Sequence, residues 1–272
     1  MEIRTILLNL DVDFPTPGLL SSAIPLARRF DAKLMGFAAA QPASALMPLG
    51  AAAVTSGYYE ASREEVENRL RAIESEFETT VPAHLRGKFV SYIDPPTEGL
   101  ISLASGADLV LVGSHEGGLP SYSRSVDVGE LVLGAGRPVL LAGAGAGEIK
   151  LGKILVGWKE TREARRAVVD ALPFFKLATE VVIATISEGD RSVERARIND
   201  VIGWLATHGV KATGDVYPVG EPAANLAELG SKLKADLIVT GGYGHSRVRE
   251  WFFGGVTQDL LAAPGMNRLM SN

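Results

Sequence analysis

The chain has 272 residues, 46% hydrophobic and 22% charged, which suits a globular protein with a large core and room for two domains. It has no cysteine, which excludes disulfides, thiolate metal sites and cysteine nucleophiles and agrees with a reducing cytoplasm. A net charge of −5 makes nucleic acid a poor partner. No window approaches the roughly 18 unbroken apolar residues of a membrane span, and the opening MEIRTILLNLDVDF lacks a signal peptide's apolar stretch, so no membrane partner is expected.

In chain order, Thr5–Leu10 reads as a strand, Leu19–Phe30 as a helix and Lys33–Phe37 as a second strand. Residues 41–59, rich in Ala, Pro and Gly, read as a loop that can hold a mobile helical piece. A charged helix with i,i+4 pairs is expected over 60–79, then a strand at 88–93 and a helix at 97–105. Strands follow at Leu109–Val112 and at RPVLLAG, 137–143. AGAGAGEIKLG, 142–152, suits a short connection and divides the chain into domains 1–146 and 147–272.

Beyond it, Ile154–Trp158 is a strand, and Thr161 can cap a helix with apolar positions Ala164, Val168, Ala171, Leu172 and Phe175. Val181–Ile186 is β-branched and strand-like, and 191–207 carries Val193, Ile198, Val201, Ile202 and Leu205 at helical spacing. KATGDVYPVG is a weaker strand, and EPAANLAELGSKLK begins a helix with an acid and a proline. Leu237–Thr240 is a buried strand and Val256–Ala262 a helix. The C-terminal MNRLMSN, 266–272, can pair with 137–143 and join the halves edge to edge; a homodimer stays open.

ADLVLVGS at 107–114 returns 128 residues later as ADLIVTGG, and TILLNLD at 5–11 returns 148 residues later as KILVGWK. The chain therefore reads as a duplication, with the N-terminal copy longer by about 20 residues, the excess falling in 41–59. Alternating strands and helices imply a parallel sheet with helices on both faces, which takes ligands at the carboxyl ends of its strands.

The stretch GGYGHSRVREWFFGG, 241–255, lies between a strand and a helix N-terminus. Glycines there let backbone N–H groups approach an oxyanion, Ser246 and Thr257 can add hydroxyls, and Arg247 can add a charge. Turn geometry alone would also explain them, and both alternatives stay open. The spacing is neither a Walker loop nor a standard dinucleotide fingerprint. Asp11 and Asp13 read as a polar strand end more than as a Mg²⁺ site. His84, His115, His208 and His245 share no metal-like spacing, and Trp251, Phe252 and Phe253 are expected to pack rather than stay exposed.

Gly241-x2-Gly244-x9-Gly254, with ILVGW, GEPA and ADLIVTGGYGHSR, resembles the signature of tandem universal stress proteins over nearly the whole chain. The resemblance implies two tandem five-stranded α/β domains of Rossmann-like, adenine nucleotide α-hydrolase-like fold. It implies a stress-response role and, as in some members, binding of ATP or AMP with Mg²⁺ accompanying ATP, while other members bind no nucleotide; the cytoplasmic expectation rests on the composition. It assigns phosphate and ribose contacts to Gly241, Gly244 and Gly254, and further contacts to Thr240, Val256 and Ile186, the last on adenine. His245 lines the site, with Ser246, Arg247 and Thr257 beside it. Gly255 stands where the family often has Ser or Thr, and Gly157 and Lys159 stand where an Asp ends the first strand.

The N-terminal copy keeps Asp11 and Gly113, but Glu116 replaces the second glycine and Val126-Asp127 align with the later pair. Carboxylates beside a phosphate would repel it, so this copy is expected to bind no ATP in the usual manner. The chain shows no Walker lysine and no nucleophile–base pair, which points to binding and regulation, with weak ATP hydrolysis at most. A non-nucleotide interaction protein is the alternative. An AMP-transferring enzyme would favour an S-G-G-x-D-S-like loop that neither first strand supplies.

Overall fold

The computed structural model describes residues 2–43, 52–114, 123–145, 147–219, 225–242 and 265–272. The first half runs β1 (Thr5–Asn9), α1 (Thr16–Phe30), β2 (Lys33–Ala39), α2 (Ala52–Thr80), β3 (Arg86–Tyr92), α3 (Pro96–Leu103), β4 (Leu109–Gly113), α4 (Val128–Gly134) and β5 (Val139–Ala142). The second runs β6 (Lys153–Gly157), α5 (Arg162–Asp170), α6 (Leu172–Phe175), β7 (Glu180–Ile186), α7 (Arg191–Thr207), β8 (Ala212–Tyr217), α8 (Leu226–Leu233), β9 (Leu237–Gly241) and β10 (Asn267–Ser271).

The strands form one ten-stranded sheet in the order β3-β2-β1-β4-β5-β10-β9-β6-β7-β8. Each half contributes the same five-strand order, first to fifth strand as 3-2-1-4-5, with parallel pairing inside each half. The halves meet at β5 and β10, which pair antiparallel with Leu140 opposite Leu269. Strands buried on both faces need unbroken apolar runs, which is why TILLN and KILVG carry so little charge.

One face is covered by α1, α2, α5, α6 and α7, whose apolar side chains merge with Ile6, Leu8, Ile154 and Leu269 into one cluster spanning both halves. Phe30 and Phe174 close this face between the halves, edge to face at 5.1 Å. On the other face α3 and α4 cover the first half and α8 the second.

The repeated Ala-Asp-Leu has a physical role. Asp108 Oδ2 accepts from the backbone N–H of Arg4 and Thr5 at 2.8 and 3.0 Å, ahead of and at the start of β1. Asp236 Oδ2 accepts from Lys153 N at 2.9 Å, at the start of β6. In each copy one carboxylate ties the first strand to the fourth and satisfies backbone N–H at the first strand's amino end.

Several boundaries differ from the sequence reading. α2 starts at Ala52, inside the stretch read as loop. The helix expected over 161–175 divides into α5 and α6 around Ala171, because Pro173 has no N–H to continue the ladder. Thr161 does cap α5, accepting from Ala164 N at 3.3 Å. α8 starts at Leu226 with Asn225 as its cap, not at the Glu-Pro pair, which lies outside the described residues. α4 was not foreseen.

Candidate functional site

The sheet changes winding direction between the first and fourth strands of each half, so crevices open at the carboxyl ends of β1/β4 and β6/β9. In the second half, register sets Gly157 beside Thr240 on one side and Ala184 on the other. Ile186 ends β7 next to Tyr217 of β8. Thus Gly157, Ile186, Thr240 and Gly241, from three separate segments, meet at one end of the sheet. Lys159 lies just beyond β6 with its side chain exposed. Gly244, His245, Ser246, Arg247, Gly254, Gly255, Val256 and Thr257, with the aromatic trio and the expected helix 256–262, lie outside the described residues.

Ile186 and Tyr217 pack on the cluster that contains Leu226, which gives this end of the sheet an apolar flank. A Cβ at Gly157 would run into Leu226 Cδ2, so the strand end and α8 lie in direct contact. The turn after β6 is fixed by Trp158 N donating to Ala184 O at 2.8 Å and Thr185 Oγ1 donating to Trp158 O at 3.0 Å. Thr161 N donates to Lys159 O at 2.7 Å. At Gly241 a Cβ would lie 2.6 Å from Ala164 N and from Glu163 C. The first turn of α5 therefore rests on this glycine, and its missing side chain serves helix packing. A Cβ at Gly242 would meet Val132 of α4 at 2.7 Å, so this strand end also touches the other half.

The first half presents a different crevice. Asp11, the counterpart of Lys159, is 9% exposed, and burial pushes its carboxyl up to about 6. Its Oδ1 accepts from Asp13 N at 2.9 Å, a bond that opposes the rise. Asp13 receives a two-pronged guanidinium from Arg124, with Nη2 at 2.7 Å and Nε at 2.9 Å. The same guanidinium donates to Glu65 of α2 at 3.2 and 3.3 Å. These carboxylates, led by Asp13, hold Arg124 above its ordinary range. The Asp127 carboxylate caps α4, accepting from Glu130 N at 2.9 Å. Glu116 lies outside the described residues.

The sequence reading missed Arg124, Glu65 and Arg268. Arg268, in β10, is fully buried and donates to Ser114 Oγ just after β4, so a side chain of the second half supports the first half's loop. Burial lowers its guanidinium to about 10. Its only sequence signal was a cation inside a strand-like run. Arg124 and Glu65 gave none, being 59 residues apart. Among the described residues no group of His, Asp and Glu is placed to hold a metal ion. His84 and His208 are exposed, the latter packed against Trp204 with centroids 4.3 Å apart and the rings tilted by 51°. No described helix is long and apolar enough to cross a membrane.

No protein-family model matches the chain, and no curated protein matches it. Solved structures do. A universal stress protein from Archaeoglobus fulgidus DSM 4304 superposes with TM-score 0.70 at 15% identity, covering 100% of this chain and 97% of that one. A candidate universal stress protein from Pseudomonas aeruginosa UCBPP-PA14 gives TM-score 0.59 at 16% identity, covering 99% and 93%. The cytoplasmic domain of a prokaryotic cation chloride cotransporter gives 0.51 at 12% identity, covering 98% and 95%. With this full-length likeness and the same five-strand order in each half, the chain has the fold of the universal stress proteins, repeated in tandem.

Proposed function

We propose that the chain is a tandem universal stress protein whose C-terminal half binds an adenine nucleotide, ATP or AMP, as a regulatory ligand in a cytoplasmic stress response. The supporting observation is the convergence of Gly157, Ile186, Thr240 and Gly241 at the β6/β9 crevice, from which the Gly241-x2-Gly244-x9-Gly254 segment departs. In this reading Ile186 supplies an apolar surface for the base and Lys159 a cation for a phosphate. The glycines 244 and 254, with Ser246, Arg247 and Thr257, complete the phosphate contacts, and Mg²⁺ accompanies ATP. Hydrolysis is weak at most. The domains divide at residues 146 and 147, and they pair within one chain through β5 and β10.

One observation favours a second reading, an interaction protein that binds no nucleotide: at Gly241 the first turn of α5 already accounts for the glycine. Denaturing the purified protein and identifying released small molecules by chromatography separates the two. Co-purifying AMP or ATP supports the first. A preparation free of nucleotide that also takes up neither ligand at millimolar concentration supports the second.

A further inference from the structure

We propose that Arg124 is the built-in occupant of the β1/β2 side of the N-terminal crevice: its guanidinium, clasped by Asp13 and Glu65, draws residues 123–127 across the carboxyl ends of β1 and β2 and keeps an outside ligand from that side, while a cavity of about 390 Å³ lined by Phe14, Leu19, Ser114 and Gly143 stays open toward β4 and β5.

The segment is tied down along its length. Ser123 O accepts from Gln41 N at 2.7 Å, just past β2. Arg124 binds Asp13 beyond β1 and Glu65 on α2. The Ser125 side chain lies near Asp11. Asp127 N donates to Thr97 Oγ1 of α3 at 3.0 Å. Exposed ion pairs contribute little, but the Arg124 side chain is only 16% exposed and engages Asp13 with two nitrogens, the geometry in which charge-assisted bonds are strong.

The two halves show the consequence. Asp11 is buried, while Lys159 at the equivalent place in the second half is exposed. The sequence set Glu116 and Asp127 beside a phosphate; Glu116 lies outside the described residues and Asp127 caps α4, while Asp13 and Glu65 are paired with a cation from the chain itself. In this reading the Arg124 clasp adds closure on the β1/β2 side to the repulsion that the sequence suggested. The chemistry that fits this place is a planar cation, and Arg124 already supplies it.

The test is amide hydrogen exchange on the full chain, comparing wild type with Arg124→Ala and Asp13→Asn. The Asp13 and Asp127 amides lie outside helices and strands and are bonded to side chains, so their protection reports closure. Either variant is expected to speed both amides by about 10-fold while Val156, inside β6, keeps its rate. Millimolar methylguanidinium should restore slow exchange in Arg124→Ala along a saturable curve, and sodium chloride of equal ionic strength should not. If Arg124→Ala also loses protection at Val156, Asp13→Asn decides. Rates at Asp13 and Asp127 within about 2-fold of wild type in the intact variants would overturn the proposal, as would methylguanidinium acting no better than sodium chloride.

Discussion

Asp11 offers a prediction whose size and sign both follow from its surroundings. Its carboxyl moves from 3.8 to about 6, mainly because burial disfavours the charged form. The bond from Asp13 N, the nearby Ser125 side chain and the field of Arg124 oppose that shift without cancelling it. The folded chain therefore holds the Asp11 proton more tightly than the unfolded chain does. Between these two pKa values folding binds protons, so Asp11's contribution to stability is fully present below about pH 4 and falls as pH rises through about 6. The drop amounts to about 3 kcal/mol, one pKa unit being about 1.4 kcal/mol. Asp11→Asn removes the charge and keeps an oxygen for the Asp13 amide. Urea unfolding across this range should find the variant close to wild type at the acid end and more stable by about 2–3 kcal/mol at neutral pH. Taking the difference cancels the other carboxylates. A difference that stays flat with pH, or that favours wild type increasingly as pH rises, would refute the reasoning.

Other parts of the account are open to equally direct checks. Phe174→Ala, in the cluster shared by the two halves, should cost about 3–5 kcal/mol in urea unfolding, since the side chain is fully buried against Phe30. Asp108→Ala leaves the Arg4 and Thr5 N–H groups without their carboxylate and should cost about 1–3 kcal/mol, again by urea unfolding. Gly241→Ala forces a methyl group toward Ala164 N and should lower stability by about 1–3 kcal/mol whether or not nucleotide is present, as thermal melts would show.

The duplication was legible because each copy repeats the same local requirements. Apolar runs mark β1 and β6, and Asp108 and Asp236 recur because each first strand needs a carboxylate at its start. α7 was readable over its full span, with Ile198, Val201 and Leu205 on its buried side. Boundaries set by competing signals were not. The apolar period runs through Pro173 although the backbone ladder does not, and Ala52–Thr80 continues a helix back into residues whose composition reads as loop. The candidate site was legible only where strand ends define it. Gly157, Ile186, Thr240 and Gly241 were named on the resemblance, and the sheet order sets them at one end of the sheet because each stands at a strand end. Arg124 meets Asp13 across 111 residues, and Arg268 meets Ser114 across 154, and no periodicity marks such pairs.

The central claim is that this tandem chain takes an adenine nucleotide in one half only. Isothermal titration with AMP and with ATP·Mg²⁺, on the wild type and on Gly244→Asp, tests it most directly. The account predicts one equivalent bound per wild-type chain and loss of binding in Gly244→Asp. Two equivalents, equal binding by the variant, or no binding at millimolar ligand would contradict it.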